Sequence, residues 1–235
     1  MLQEIKISVI LLKNSMPAKI QGSHKNTLYF PFPYNHVPFL YPLFFSAPAS
    51  GIPLSYTIDA FKGFTLPFCL LVSYYFKQFN NSTMMVYTAI HGLYGLLWLA
   101  KSFMYPDLKW TAPSPLYFHF ITAAVLGGYW LGPYSIASSS YEAPAWRLGL
   151  AVFMFGLGVF FHFVSDLHKF VSLKLAPGKL ITSMLWGISR NPNYFGELLI
   201  YTSFLVISLD YRPILAFTVS FVFYWIPNMY NYLLI

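Results

Sequence analysis

The chain alternates between long apolar runs and short breaks rich in polar residues or proline. Runs at 55–76, 84–104, 116–136, 145–164 and 192–209 have the length of a bilayer-crossing helix, and another starts at 214 and continues to the end. A crossing helix needs about 20 mostly apolar residues, and only structures that satisfy their own backbone polar groups survive in hydrocarbon. The pattern therefore predicts an all-α protein, a multi-pass transmembrane helical bundle of about six to seven helices, with a cytoplasmic loop over 165–193 before the penultimate one. Residues 1–53 break the pattern. Pro31, Pro33, Pro38, Pro42, Pro48 and Pro53 interrupt an aromatic-rich stretch and argue against a regular helix there. The expected organisation is an interfacial or poorly ordered lead-in over 1–53, followed by one membrane-embedded domain over 54–235.

Composition supports the pattern. The chain is 57% hydrophobic and 9% charged, whereas a soluble domain carries roughly 25% charged residues. The net charge of +7 is assigned to membrane topology and not to nucleic-acid binding. With 165–193 on the cytoplasmic side, Lys101, Lys109 and the N-terminal lysines fall on that side too, and Lys77, Arg147 and Arg212 fall opposite. Overlapping glycosylation sequons at Asn80-Asn81-Ser82 and Asn81-Ser82-Thr83 then lie on the lumenal side. A single cysteine, Cys69, excludes an intrachain disulfide. No His/Cys/carboxylate cluster has metal-ligand spacing, so no metal is expected, and without a Gly-rich phosphate loop a soluble dinucleotide-binding fold is excluded.

Several polar residues sit inside the apolar runs. Asp59 and Lys62 are spaced i, i+3, as an interfacial ion pair or as the wall of a polar pocket. His91, Tyr94 and Trp98 share one helical face, which serves either packing or chemistry. Gly127-Gly128, Gly156 and Gly158 predict close helix approaches. The densest polar stretch runs from Ser189 to Glu197. Pro192 suits a first helical turn and Asn191 its cap. Free N–H groups at that helix start, the Arg190 guanidinium and the Asn193 amide suit a phosphate-bearing cofactor approached from the cytosol. Glu197, one turn on, can orient Asn193 or accept from a ribose hydroxyl. The same residues also suffice merely to cap and anchor the helix.

The run Leu185-Trp186-Gly187-Ile188-Ser189-Arg190-Asn191-Pro192-Asn193-Tyr194-Phe195-Gly196-Glu197 resembles the C-terminal signature of the steroid 5α-reductase family, in its uncharacterised branch. The run from His91 to Trp98, the Tyr105-Pro106-Asp107 turn and Ser165-Asp166 fit the same branch, so the likeness covers roughly 60–235. The resemblance implies an endoplasmic-reticulum membrane enzyme that uses NADPH to reduce a carbon–carbon double bond conjugated to a carbonyl, in a steroid or other lipid. It implies Asp166, Asn193 and Glu197 as cofactor-binding residues; Arg190 and Tyr194 join them on physical grounds.

The chain also departs from that family. Thr65 stands before Leu66-Pro67 where the steroid reductases carry a Glu, and Trp98 falls where they carry a Tyr. Tyr94 and His91 are the residues expected to act in their place as hydrogen-bond donors to the carbonyl oxygen. Ile235 ends the sequence inside an apolar run, where family members continue with a short basic, Tyr-containing tail that helps close the cofactor site. Two other readings stay open: an S-adenosylmethionine-dependent methyltransferase of the isoprenylcysteine type, and a non-catalytic membrane protein of the same fold.

Overall fold

The structure is a computed structural model that describes residues 51–208 and residue 218. Helix α1 spans Leu54–Tyr75 and α2 spans Ser82–Met104. Six further helices follow: α3 (Leu108–Thr111), α4 (Leu116–Gly128), α5 (Leu131–Ser139), α6 (Ala145–Leu175), α7 (Leu185–Ile188) and α8 (Pro192–Ser208). Proline sets several starts. Pro53, Pro115 and Pro144 occupy N-caps, and Pro192 is the first residue of α8. A fixed φ and a missing N–H cost nothing at those positions. Two short strands, β1 (Ile52–Pro53) and β2 (Pro113–Ser114), pair antiparallel with Ile52 opposite Ser114.

Asn81 caps α2. Its Oδ1 accepts from Met84 N at 2.9 Å, and its Nδ2 donates to Gln78 Oε1 and to the Tyr141 carbonyl, each at 3.0 Å. So committed an amide is a structural cap. Of the two overlapping sequons, only that of the exposed Asn80 presents its amide to solvent.

The run expected over 116–136 is two helices. Successive i→i+3 hydrogen bonds tighten the chain at Tyr129, Trp130 and Gly132. Trp130, between the helices, stacks on Phe61 at 5.1 Å and on Phe68 at 4.6 Å, and its Nε1–H donates to Thr65 Oγ1 at 3.2 Å. The fourth run is longer than expected: α6 continues to Leu175 and takes up the first part of the segment read as a loop. Two helices, α2 and α6, are long and apolar enough to cross a membrane. Helix α1 has the length but carries Asp59 and Lys62, and α8 is described only to Ser208. The run expected from 214 and the lead-in up to residue 50 lie outside the described residues.

Two glycine contacts set the packing. A Cβ on Gly196 of α8 would meet the His162 backbone N and the Gly158 carbonyl of α6. A Cβ on Gly95 of α2 would meet the Lys62 carbonyl of α1. These helix pairs therefore meet backbone to backbone, as small residues allow. Gly158 behaves as expected, whereas Gly156 faces open space. Between the helices lies an aromatic core that includes Tyr87, Tyr94, Tyr129, Phe155, Tyr201 and Phe204.

Candidate functional site

Two buried polar clusters meet where α1, α2, α6 and α8 come together. The first is centred on Asp166 of α6. Its carboxylate accepts from Lys101 of α2, in an ion pair whose side chains are only 5% and 8% exposed. It also accepts from Asn193 Nδ2 of α8 at 3.1 Å. His162, one turn earlier on the same face, donates from Nδ1 to the Asn193 carbonyl at 3.2 Å, since a carbonyl can only accept. Its Nε2 stands 3.8 Å from Asp166 Oδ2, beyond hydrogen-bond reach. Trp186 docks α7 by donating from Nε1 to the Ser165 carbonyl at 3.2 Å.

The second cluster is centred on Lys62. Its ammonium donates to the Tyr201 hydroxyl at 2.8 Å and lies 4.0 Å from the centre of the Tyr94 ring. The Trp98 and Tyr201 ring centres are 4.9 and 5.1 Å away. Tyr94 donates a long hydrogen bond of 3.5 Å to Glu197 Oε1, and the Tyr94 and Tyr201 rings meet edge to face at 5.9 Å. Trp98 separates the clusters. It stacks on His162 at 6.1 Å and 12°, and Lys101 Nζ lies 4.6 Å from its ring centre. Its Nε1–H donates to Asp59 Oδ1 at 3.0 Å, and Ser102 donates to Asp59 Oδ2 at 2.7 Å.

The expected site residues are thus partly assembled. Asp166 meets Asn193, and Tyr94 meets Glu197. Glu197 does not orient Asn193, because Asp166 does so instead. Tyr194 is buried beside them, and Arg190 is exposed. His91 packs against the Phe204 ring at 4.3 Å with Tyr87 at its edge, and no hydrogen bond links it to Tyr94 or Glu197. Asp59 and Lys62 do not pair; each turns to partners on another helix. Asn191 supplies its carbonyl to Phe195 N but not a side-chain cap, and its Oδ1 is buried without a partner. Lys101 is an inward-facing residue of α2 and not a loop cation.

Sequence reasoning weighed Lys62 only with Asp59, as an ion pair or a pocket wall, and passed over Lys101, His162 and Tyr201 as site residues. The signal for the lysines was present. A charge inside an apolar helix is costly, so it is a functional candidate by default.

A small cleft adjoins the first cluster and is lined by Asp59, Trp98, Lys101, Ser102, Asp107 and Trp110 among others. Nearby, burial and the Asp166 carboxylate push the Tyr105 phenol up to about 12, so it is a neutral group there. Among the described residues, several buried polar atoms have no hydrogen-bond partner: Asn191 Oδ1, Asn193 Oδ1, Ser165 Oγ and His162 Nε2. Each such group costs about 1–3 kcal/mol. Asn191 Oδ1, Asn193 Oδ1 and His162 Nε2 are acceptors that a ligand bearing N–H or O–H groups could meet.

The fold and this site define an α-helical protein with two helices of membrane-crossing length, a buried ion pair and a set of unmet acceptors between its helices. Residues 107–226, just over half of the chain, match the family described as a protein of unknown function, DUF1295, and the chain belongs to that family. The matched stretch holds His162, Asp166, Asn193, Glu197 and Tyr201; Lys62, Tyr94, Trp98 and Lys101 precede it. No curated protein and no solved structure matches the chain.

Proposed function

We propose that the chain is a multi-pass enzyme of the endoplasmic-reticulum membrane, of the steroid 5α-reductase type. It would bind NADPH around Asp166, Asn193 and Glu197 and reduce a double bond conjugated to a carbonyl in a steroid or other lipid. The relation of DUF1295 to steroid 5α-reductase-like proteins supports this reading. The observation that carries it is Asn193. Asp166 holds its amide nitrogen in place, while its Oδ1 is buried without a partner among the described residues. That atom fits the amide N–H of a nicotinamide or the amine of an adenine. Asn191 Oδ1 offers a second acceptor, and the exposed Arg190 offers a fork-shaped cation to a phosphate. Exposed Lys174, Lys179 and Arg190 at this end of α6 and α8 favour a cytoplasmic orientation, where NADPH is found.

Bound there, NADPH would supply a hydride to the carbon β to the carbonyl. The chain supplies the rest. Tyr94, held between aromatic rings, would turn its one O–H from the long bond to Glu197 onto the carbonyl oxygen as negative charge develops there. Its geometry favours it over His91, whose ring is stacked on Phe204. The packed rings exclude water, which strengthens a hydrogen bond to the developing charge.

The unmet acceptors of Asn191 and Asn193 also suit the adenine amine and ribose hydroxyls of S-adenosylmethionine, so a methyltransferase is the second reading. Binding of each nucleotide to the detergent-purified protein separates the readings. NADPH binding with a micromolar or lower Kd supports the reductase. Binding of S-adenosylmethionine alone moves the assignment to methyl transfer. Binding of neither refutes both and leaves a non-catalytic membrane protein.

A further inference from the structure

Between Asp166 and Glu197 the chain carries Lys169, Lys174, Lys179 and Arg190 and no acidic residue. Asp166 does not offset this charge at the surface, because it turns inward to Lys101. The connection from α6 to α8 also exposes large apolar side chains. Leu175, Leu180, Met184 and Ile188 are 64–81% exposed, and Lys174, Lys179 and Arg190 are exposed among them. Other residues hold the segment to the fold. Ile181, Leu185 and Trp186 are half-buried, and Trp186 anchors α7 through the Ser165 carbonyl. An exposed apolar patch rimmed by charge marks a surface that meets something else.

The position of the segment says what that is. It leaves the end of α6, which has 31 residues and is apolar enough to cross a membrane. At 1.5 Å per residue such a helix is about 46 Å long. A bilayer with its headgroups is about 40–45 Å thick, so α6 carries its last turn, with Lys174 and Leu175, to the headgroup layer. The exposed Trp146 at its other end suits the opposite interface. Apolar side chains alone would fit any covering surface, but basic residues without carboxylates select an anionic one. A leaflet that carries anionic lipid attracts Lys and Arg and takes up apolar side chains at the headgroup boundary. A second copy of the chain would instead bring the same positive charge against this face.

We infer that the segment over 174–190 is an anionic-lipid docking surface, lying on the bilayer with Leu175, Leu180, Met184 and Ile188 in the headgroup boundary and Lys174 and Lys179 on lipid phosphates and carboxylates. The inference rests on the membrane placement in the proposed function and not on its reductase chemistry. Docking has a consequence for the neighbouring site, because the same segment runs into Asn191 and Asn193, whose side-chain acceptors are unmet among the described residues. The lipid surface then fixes the side from which a ligand approaches them.

The test places a nitroxide at the exposed position 182 (Thr182→Cys) of the full chain, in nanodiscs that hold one copy each. Cys69 is buried, and the chain without the Thr182 change, labelled alike, gives the background. Discs are made of phosphatidylcholine alone or of equal parts phosphatidylcholine and phosphatidylserine. Depth is read from collisions with oxygen, which enters the bilayer, against those with a water-soluble nickel complex. Docking predicts that phosphatidylserine draws the label into the oxygen-accessible layer. Lys174→Gln and Lys179→Gln should each lower the ratio of docked to undocked segment about 5-fold. Leu180→Ser with Met184→Ser should leave the label open to nickel in both bilayers. All four side chains are exposed, so the melting temperature should stay near that of the parent. A label equally open to nickel in both bilayers, while the chain is retained in the discs, overturns the docking surface and leaves the membrane reading standing. Shielding that appears only in discs holding two copies assigns the face to a second chain and overturns it too. So does a pair of lysine variants that keeps the label's depth but loses NADPH affinity in phosphatidylcholine, since the charges then serve the nucleotide. A chain that does not enter the discs at all removes the membrane reading itself.

Discussion

Two buried lysines flank the ring of Trp98, Lys62 at 4.9 Å and Lys101 at 4.6 Å. Lys101 is neutralised by Asp166, which is itself tied to Asn193, so every member of that cluster has a fixed partner of opposite charge or polarity. Lys62 meets one phenol oxygen and three ring faces, and among the described residues no carboxylate ion-pairs with it. The first arrangement fixes geometry through an ion pair. The second holds a cation against rings and a phenol. One indole separates the two.

Substitutions can break this contrast. Asp166→Ala leaves the Lys101 ammonium buried and unpaired. Losing one partner of a buried pair costs about 3–5 kcal/mol. The variant should unfold far earlier in a thermal melt in detergent, while Lys101→Met with Asp166→Leu should recover most of the loss. A melt of Asp166→Ala that matches wild type would mean the pair is not load-sharing. Tyr94→Phe keeps the ring in the core and removes one hydroxyl. We predict a loss of about 100-fold in enone reduction with a melting temperature close to wild type. Unchanged turnover would remove Tyr94 from the proposed mechanism.

Gly196→Ala sharpens the packing side of the comparison. Its Cβ must push against the His162 backbone N and the Gly158 carbonyl. Overpacking of this kind costs about 1–3 kcal/mol, and separating α8 from α6 also pulls Asn193 away from Asp166. The expected result is a lower melting temperature together with weaker NADPH binding. Arg190→Ala should do least. The side chain is exposed, so stability should stay within about 0.5 kcal/mol of wild type. NADPH affinity should fall a few-fold at low salt, an effect that shrinks as salt is raised. A salt-independent loss would point to a structural role.

The comparison also marks what was legible in the sequence. Helices α1 and α2 fall within two residues of the runs expected at 55–76 and 84–104, because polar or proline-marked breaks bound them. The break between α4 and α5 was hidden. Gly127-Gly128-Tyr129-Trp130 carries no charge or proline, and the feature that anchors it, Trp130 against α1, is a long-range contact. The true end of α6 was hidden for the opposite reason. Ser165, Asp166 and Lys169 look like a loop, yet Ser165 and Asp166 turn inward and are satisfied or buried by α2, α7 and α8.

Asn193 and Glu197 could be singled out because they cluster in one motif. Their long-range surroundings could not: Lys62 and Tyr201 lie 139 positions apart, and Lys101 and Asp166 lie 65 apart. Local spacing favoured an Asp59–Lys62 pair, but Trp98 and Ser102 claim Asp59 and leave Lys62 to the tyrosines.

The central claim is that the two clusters do different work, and NADPH affinity compared across three proteins tests it most directly. Wild type, Asn193→Ala and Lys62→Met would be titrated with NADPH in the same nanodiscs, following nicotinamide fluorescence. The account predicts that Asn193→Ala weakens binding by about 10-fold or more, the scale of a buried hydrogen bond and its stranded partner, while Lys62→Met binds as wild type does. Equal affinities in all three, or a larger loss in Lys62→Met than in Asn193→Ala, would contradict it.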